Sequence, residues 1–295
     1  MSDKKRIEQK SSRTASYTCM CRASSYLEKN IYFKSDDYIA VKLLPLFVKL
    51  LLKLKILNLK GRLSPKGIYP YVIARTKYID SIFEFAIKDG VEQVVILGAG
   101  FDSRAIRLSG QNNKIQVFEI DTHYTQQAKL KQYQKRKIPK PENTIYLPVD
   151  FDREDLETKL NESEFIRNKK SLFILEGLTM YLEQKSVEET FKLIYEFSAP
   201  SSLIVFDYIY ASVLRGEQKY YGERSIHKRV VKDNEKWTFG IEEGEINNFL
   251  KSLNFSLIEH LDSNTIEKKY FTNETSRLIT KVNGTHCIVL AKRDK

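Results

Sequence analysis

Residues 94–108 read VVILGAGFDSRAIRL, a short apolar run that closes on a glycine turn and passes directly into a helical pattern. An apolar run of this length, ended by glycine, predicts a buried strand over 93–98. Gly98 and Gly100 allow the chain to reverse tightly and let the backbone approach a ligand without Cβ contact. This strand–turn–helix unit therefore predicts a ligand site where the strand ends.

Further strand patterns follow this unit and alternate with helical ones. The predicted strands are 114–120, 144–149, 171–175, 201–209, 255–258 and 285–291, and the predicted helices among them are 186–197 and 242–253. Strands separated by helical segments imply right-handed crossover connections and a mostly parallel sheet. The chain is thus predicted to be an α/β protein.

A carboxylate stands at the end of the second predicted strand. Asp121 ends the sequence FEID and follows Gly98 by 23 residues. A carboxylate in this place can accept hydrogen bonds from both hydroxyls of a ribose, as it does in dinucleotide-binding folds. The glycine turn and Asp121 together indicate a ligand that contains adenosine.

Two residues of the turn help to choose between adenosine ligands. Ser103 occupies the place of the third glycine in a dinucleotide fingerprint. Asp102 puts a negative charge beside the helix N-terminus that a diphosphate would need. Both features disfavour NAD and are compatible with a positively charged ligand such as the sulfonium of S-adenosyl-L-methionine.

Five strings then occur in a recognisable order: LGAGFDSRAIRL, FEIDTHYTQQAK, VDFDRED, LFILEGLTMYL and WTFGIEEGEINNFLKSLNFSLIE. In this order and spacing they resemble the leucine carboxyl methyltransferase family, from about residue 21 to residue 291. The resemblance implies a class I methyltransferase with a Rossmann-like, mostly parallel seven-stranded sheet. It also implies S-adenosyl-L-methionine as cofactor and S-adenosyl-L-homocysteine as its product.

The resemblance assigns the cofactor's charged, ribose and adenine parts to four residues. Arg75 matches the arginine that binds the methionine carboxylate, and a guanidinium can contact a carboxylate through two parallel hydrogen bonds. Asp121 matches the ribose ligand. Asp150 and Phe151 match the pair that holds adenine, the acid accepting from the amino group and the ring lining the pocket.

Further roles come from the same resemblance. Gly98 and Gly100 would approach the methionine half, and Glu176 would lie near the amino group or the sulfonium. Tyr181 would face the methyl acceptor and is the one candidate catalytic residue. Arg22 would belong to an N-terminal segment that closes over the cofactor.

One methyltransferase domain over 1–295 is therefore expected. It divides into a helical cap at 1–90, a cofactor-binding core at 91–209, a substrate-lid insertion at 210–241 and the C-terminal part of the sheet at 242–295. The expected reaction transfers a methyl group to a carboxylate or hydroxyl of a small molecule. The alternatives are a protein C-terminal carboxyl methyltransferase and, from another class, an NAD-dependent oxidoreductase.

The chemical group that accepts the methyl group decides whether the enzyme needs a general base. A carboxylate is already ionised at neutral pH, whereas a hydroxyl needs a base near the methyl group. The sequence leaves four candidates for such a base open, which are Glu176, Asp207, Tyr181 and His227.

The segment 208–240 is the predicted specificity element, because aromatic side chains alternate there with Lys and Arg. These aromatic residues are Tyr208, Tyr210, Tyr220, Tyr221, Trp237 and Phe239. They would either line a pocket for an acidic or aromatic substrate or fill ordinary core.

The charge of the chain is local rather than uniform. The chain has 49 Lys and Arg against 38 Asp and Glu, a net charge of +11. Residues 38–79 hold nine basic residues and 125–140 hold six, and neither stretch contains an acid. The site after the fourth strand reads EGLT and lacks the Asn/Asp-Pro-Pro-Tyr pattern of base-methylating enzymes. We therefore expect no specific nucleic-acid partner.

The segment 41–59 imitates a membrane span but is interrupted by Lys49, Lys53 and Lys55, so no span is expected. As one helix it would carry a narrow basic stripe that includes Lys42 and Lys60. It would either pack into the body or form a lid, with its lysines solvated, or it would touch anionic lipid or a partner. Packing is the simpler interpretation.

The remaining sequence features argue against a disulfide framework, a metal site and a signal peptide. Cys19, Cys21 and Cys287 form no disulfide framework or zinc spacing, and the four histidines show no ligand pattern, so no metal is expected. The polar N-terminus lacks the apolar core of a signal peptide, which predicts a cytoplasmic protein.

Overall fold

The computed structural model describes residues 13–61, 63–108, 115–149, 154–233 and 236–295. The strands of this part are β1 (Gln93–Leu97), β2 (Gln116–Asp121), β3 (Thr144–Pro148), β4 (Ser171–Leu175), β5 (Leu203–Ile209), β6 (Phe255–Leu261) and β7 (His286–Arg293). They form one sheet in the order β3-β2-β1-β4-β5-β7-β6, in which β7 runs antiparallel to both its neighbours. The other neighbouring pairs are parallel, which confirms the predicted α/β fold.

Helices precede the sheet and connect its strands. They are α1 (Arg13–Tyr26), α2 (Tyr38–Leu43), α3 (Leu46–Lys53), α4 (Ile68–Lys88), α5 (Arg104–Arg107), α6 (His123–Arg136), α7 (Leu156–Asn161), α8 (Gln184–Phe197), α9 (Ala211–Leu214), α10 (Glu223–Asp233), α11 (Ile246–Ser252) and α12 (Ser263–Tyr270). A short 3₁₀ helix, Thr179–Tyr181, follows β4. No helix in the described ranges is long and apolar enough to cross a membrane.

The sheet separates two apolar cores. Because successive side chains of a strand point to opposite faces, Val94 and Ile96 of β1 join one core and Val95 and Leu97 join the other. The first core contains the buried face of α4, and the second contains that of α8. Burial on both faces explains why β1 and β4 are apolar throughout.

The helical cap differs from the sequence expectation at one point. The segment 41–59 is not one helix, because α2 ends before Pro45 and α3 begins after it. Leu44 is extended, as the residue before a proline prefers. Helix α2 buries Ile39, Ala40 and Leu43, so the packed interpretation holds there. Helix α3 packs against the core through Leu52 and, partly buried, Val48, whereas Leu46, Phe47 and Leu50 are exposed.

A buried ion pair joins β2 to α6. Glu119 and Lys129 contact each other through Oε2 and Nζ, and both side chains are almost fully buried. Glu119 Oε1 has no hydrogen-bond partner among the described residues. Burial raises the pKa of Glu119 to about 7, although Lys129 acts in the opposite direction.

This pair predicts a strongly non-additive mutant cycle. Lys129→Met should cost about 3 kcal/mol of unfolding free energy, because it leaves a buried carboxylate unpaired. Lys129→Met with Glu119→Gln should cost clearly less than the sum of the two single changes. Since protonated Glu119 is neutral, the cost of Lys129→Met should grow as the pH rises through about 7. Urea unfolding of the four proteins on both sides of that pH measures this, and additive single costs would contradict it.

Candidate cofactor site

The glycine turn lies at the C-terminal edge of the parallel strands, between β1 and α5. Both glycines have positive φ, +67° at Gly98 and +50° at Gly100, a conformation that disfavours other residues. A Cβ at Gly98 would lie 3.1 Å from the side chain of Leu178, and one at Gly100 would lie 3.1 Å from Cβ of Ala15 in α1. The turn is therefore tight, and the cap lies directly against it.

Asp121 ties the end of β2 to this turn. Its Oδ2 accepts a hydrogen bond of 2.6 Å from the backbone N–H of Gly100, and its Oδ1 accepts one of 2.6 Å from the N–H of Thr122. Burial raises the pKa of its carboxyl, while these donors act to lower it. Each carboxylate oxygen can accept more than one hydrogen bond, so this geometry is compatible with the expected ribose contacts.

A buried arginine neutralises the acids around the turn. Arg104, from α5, forms ion pairs with Asp102, with Asp80 at 2.8 Å and with Glu176 at 2.7 Å. Its side chain is 2% exposed. Because Asp102 is paired with this guanidinium, it does not stand beside the turn as an uncompensated charge. The expected repulsion between Asp102 and a diphosphate is therefore wrong, because Arg104 neutralises this carboxylate.

Arg75 lies between two carboxylates at the neighbouring strand ends. From α4 its Nη1 contacts Asp207 Oδ2 at 2.5 Å, and its Nε lies 3.0 Å from Glu176 Oε1. The Nε–H is not aligned with that oxygen and has no hydrogen-bond partner among the described residues. Burial alone would raise the pKa of Glu176, but Arg104, Arg75 and Arg22 outweigh it and hold this pKa at about 2. Glu176 is therefore a carboxylate across the ordinary pH range.

Arg22 is buried and connects the cap to the turn. Its Nε donates to Asp37 at 2.8 Å, and its Nη2 donates to the carbonyl oxygen of Phe101 at 2.6 Å. Asp37 in turn accepts from Ser103 Oγ at 2.7 Å and caps the N-terminus of α2. Arg22 thus lies next to the glycine turn, within reach of the site, and its direct contact with the cofactor remains a prediction.

The structure describes some of the other predicted site residues and not others. Tyr181 ends the 3₁₀ helix that follows Glu176 and is half-buried, on the same edge of the sheet. Asp150 and Phe151 lie outside the described residues. Of the candidate bases, His227 is exposed on α10, away from the buried cluster around Arg75.

Asp207 lies inside β5, within the predicted strand 201–209, and is fully buried. Besides Arg75 it accepts hydrogen bonds from the hydroxyl of Tyr71 at 2.9 Å and from the N–H of Gly177 at 2.6 Å. Three donors, two from α4 and one from the turn after β4, therefore converge on this carboxylate, which fixes Arg75 in place.

Some aromatic residues of the segment 208–240 fill the apolar core, whereas Trp237 lies beside residues of the candidate site. Tyr208, Tyr210 and Phe239 belong to the apolar core. Tyr220 stacks on Tyr210 with ring centroids 4.7 Å apart. Trp237 is half-buried and lies 5.4 Å from the ring of His286, and His286 lies 4.7 Å from Tyr71.

Several residues of the buried charged cluster around Arg75 and Arg104 were given no role by the sequence analysis. Arg104 and Arg107 belong to the string RAIR, whose spacing places them on one face of a helix turn. Asp37 and Asp80 were visible only as the acids that bound the basic stretch 38–79, and both lie in this cluster. The signal that could have found them is charge balance, since buried arginines need carboxylates.

Within the described residues no group of His, Cys, Asp and Glu side chains could hold a metal ion. Cys19, Cys21 and Cys287 are buried and form no disulfide.

Comparison with known proteins identifies this architecture. The model of the leucine carboxyl methyltransferase family matches residues 46–195. A protein of Bacillus subtilis, YktD, whose name assigns it to the S-adenosyl-L-methionine-dependent methyltransferases, is 27% identical over 209 residues, which are 71% of this chain and 68% of that protein. A Mycobacteroides abscessus protein with the same assignment is 36% identical over 131 residues, which are 44% of this chain and 43% of that protein.

A solved structure shows the same fold over almost the full length. The crystal structure of a methyltransferase from Thermobifida fusca covers 96% of this chain and 98% of its own with a TM-score of 0.59, at 15% identity. The family model and the relatives together define this protein as an enzyme that uses S-adenosyl-L-methionine. The chain belongs to the leucine carboxyl methyltransferase family.

The residues of the site fit this cofactor. The buried Arg75 Nε–H and Arg104 Nη2 have no hydrogen-bond partner among the described residues, and a ligand carboxylate is the group that would satisfy such donors. The turn at Gly98 and Gly100 is closed to larger side chains by Leu178 and Ala15. The roles of Arg75 and of the glycines in binding the cofactor stay predictions.

Proposed function

We propose that the protein transfers a methyl group from S-adenosyl-L-methionine to an oxygen of a small molecule, and that this oxygen belongs to a carboxylate. The proposal rests on the partners of the two acids that contact Arg75. Glu176 has a pKa of about 2 and is paired with arginines, and Asp207 accepts three hydrogen bonds. Neither is suited to take a proton from a hydroxyl. An acceptor that is already ionised needs no such step.

The chain's own residues would then act mainly by positioning. When bound, the cofactor supplies a methyl group on a positively charged sulfur, which is a good leaving group. Arg75 would hold the methionine carboxylate, Asp121 the ribose and Glu176 the positive end of the methionine. Since the sulfur leaves without protonation, the remaining requirement is to align the acceptor oxygen and to exclude water.

The residues beyond Asp207 support an acceptor pocket on the side of β5 and β7. Tyr71, His286 and Trp237 form a contiguous aromatic group there. Trp237 Nε1 is buried and has no hydrogen-bond partner among the described residues, so it is available to donate to an acceptor. Burial, followed by the charge of Arg75, lowers the pKa of His286 to about 3. The neutral imidazole leaves this group aromatic and uncharged, which suits the ring of an aromatic acceptor.

The experiment that tests the proposal follows the methyl group. The full-length protein is incubated with S-adenosyl-L-methionine labelled in the methyl group and with a cell lysate separated by size. We expect label in the small-molecule fraction, in a form released by mild base, as a methyl ester is. Base-labile label on protein would instead support the alternative, a protein C-terminal carboxyl methyltransferase. Base-stable label in small molecules would contradict a carboxylate acceptor.

The pH dependence gives a second test of the same point. A carboxylate acceptor has finished ionising below neutrality, so the rate of transfer should be nearly constant between about pH 6 and pH 8. A hydroxyl acceptor with a general base would give a rate that rises with pH in this range. Initial rates with the purified acceptor fraction measure the difference.

A further inference from the structure

Helix α3 carries an apolar face that the described part of the chain leaves exposed. Leu46, Phe47 and Leu50 are 71%, 66% and 56% exposed, and Leu54 at the end of the helix is similarly exposed. Ile56 and Leu63, in the chain that follows, are exposed as well. Single exposed apolar residues are ordinary, but a contiguous group marks an interaction site.

These side chains share one side of the helix. At about 100° per residue, Leu46, Leu50 and Leu54 follow each other at intervals of four, and Phe47 lies within about 100° of Leu46. Leu52, the buried residue of α3, points to the opposite side. Lys53 borders the exposed leucines on one flank. We call Leu46, Phe47, Leu50 and Leu54, with Lys49 and Lys53, the α3 surface.

The segment that carries the α3 surface contains only positive charges. No acid occurs between Asp37 and Asp80. Burial, followed by the charges of Arg136 at the end of α6 and of Lys53, lowers the pKa of Lys49. Lys42 adds a further charge from α2, and its ammonium lies over the ring of Tyr38.

Apolar side chains flanked by lysines on a short helix match the interface of an anionic bilayer. Eight residues extend only about 12 Å, too little to span a membrane but enough to lie in its surface plane. Lysine stems can cover apolar surface while their ammonium groups reach the lipid phosphates. A second copy of the chain fits less well, because a symmetric contact would place Lys49 and Lys53 against the same charges of the other copy. We propose that the α3 surface docks this protein peripherally on membranes that contain anionic lipid.

Sedimentation with vesicles tests this proposal on the full-length protein. We expect binding to vesicles of phosphatidylcholine mixed with phosphatidylglycerol and much weaker binding to phosphatidylcholine alone. Lys49→Gln with Lys53→Gln should weaken binding about 25-fold, at roughly fivefold for each charge near the lipid surface. Phe47→Ser with Leu50→Ser should weaken it by about 100-fold or more, because two buried apolar side chains contribute about 3 kcal/mol together.

The controls use the same residue types elsewhere. Ile166→Ser changes an exposed apolar side chain in the loop before β4, and Lys251→Gln changes an exposed lysine of α11. Both should bind vesicles as the wild type does, and all variants should keep their affinity for S-adenosyl-L-homocysteine. Equal binding to both kinds of vesicle, or binding that survives Phe47→Ser with Leu50→Ser, would overturn the proposal. So would a dimer in solution that this double change dissociates.

Discussion

Asp121→Ala is expected to weaken the binding of S-adenosyl-L-homocysteine by about 100-fold or more. Two hydrogen bonds from ribose hydroxyls to a carboxylate contribute about 1.5 kcal/mol each or more, and together they correspond to this factor. The change also removes the acceptor of the Gly100 N–H, which holds the turn next to β2. Isothermal titration of the full-length protein with S-adenosyl-L-homocysteine measures the loss.

Asp262 offers a matched control for this prediction. It follows the end of β6 at the same edge of the sheet, and its side chain accepts a hydrogen bond from the N–H of Thr265 at the start of α12. Asp262→Ala should therefore leave the affinity unchanged. Asp121→Asn should give an intermediate loss, because an amide oxygen still accepts hydrogen bonds but lacks the charge. An unchanged affinity in a folded Asp121→Ala protein would show that Asp121 does not bind the ribose.

The local sequence predicted most of the sheet. Strands β1 and β4 are buried on both faces, so each is a short apolar run that ends at a glycine or an acid, and their limits were close to those observed. The segment 41–59 was predicted less well. A helical period continues across Pro45, but the proline forces Leu44 to be extended and divides the helix. Helix α12 was not predicted, because its exposed positions carry mixed polar residues.

Some residues of the candidate site could likewise be predicted from the local sequence, and others could not. The glycines and Asp121 follow from local rules, since each lies directly after a strand. The arrangement of charges does not, because Arg75 meets Asp207 across 132 residues of chain and Arg104 meets Glu176 across 72. Asp207 could be read only as a candidate base until its three donors were visible. Pairing of this kind depends on the three-dimensional fold, and the sequence shows only the numbers of each charge.

Arg104→Met should lower the unfolding free energy by about 4–5 kcal/mol at neutral pH. The guanidinium is buried and pairs with Asp102, Asp80 and Glu176. Its removal leaves Asp102 without its ion-pair partner, and it leaves Asp80 with Arg107 and Glu176 with Arg75 as their remaining partners. Methionine has a similar length and fills most of the space, so lost packing contributes little. Urea unfolding of the wild type and the variant measures the difference.

The pH dependence distinguishes lost charge pairing from general damage. The pKa of Glu176 in the folded protein is about 2, below its ordinary value near 4.5, so its pairing stabilises the fold above that ordinary value. This stabilisation is lost as the pH falls from about 4.5 to about 2. Without Arg104 the pKa of Glu176 should rise, and the difference in unfolding free energy between wild type and variant should then narrow over this range.

Arg215→Met is the control, because Arg215 also contacts carboxylates, Glu217 and Glu242, but at the exposed surface. It should shift the urea midpoint little. A loss for Arg104→Met that is the same at neutral and acid pH would mean that the arginine acts through packing and not through charge.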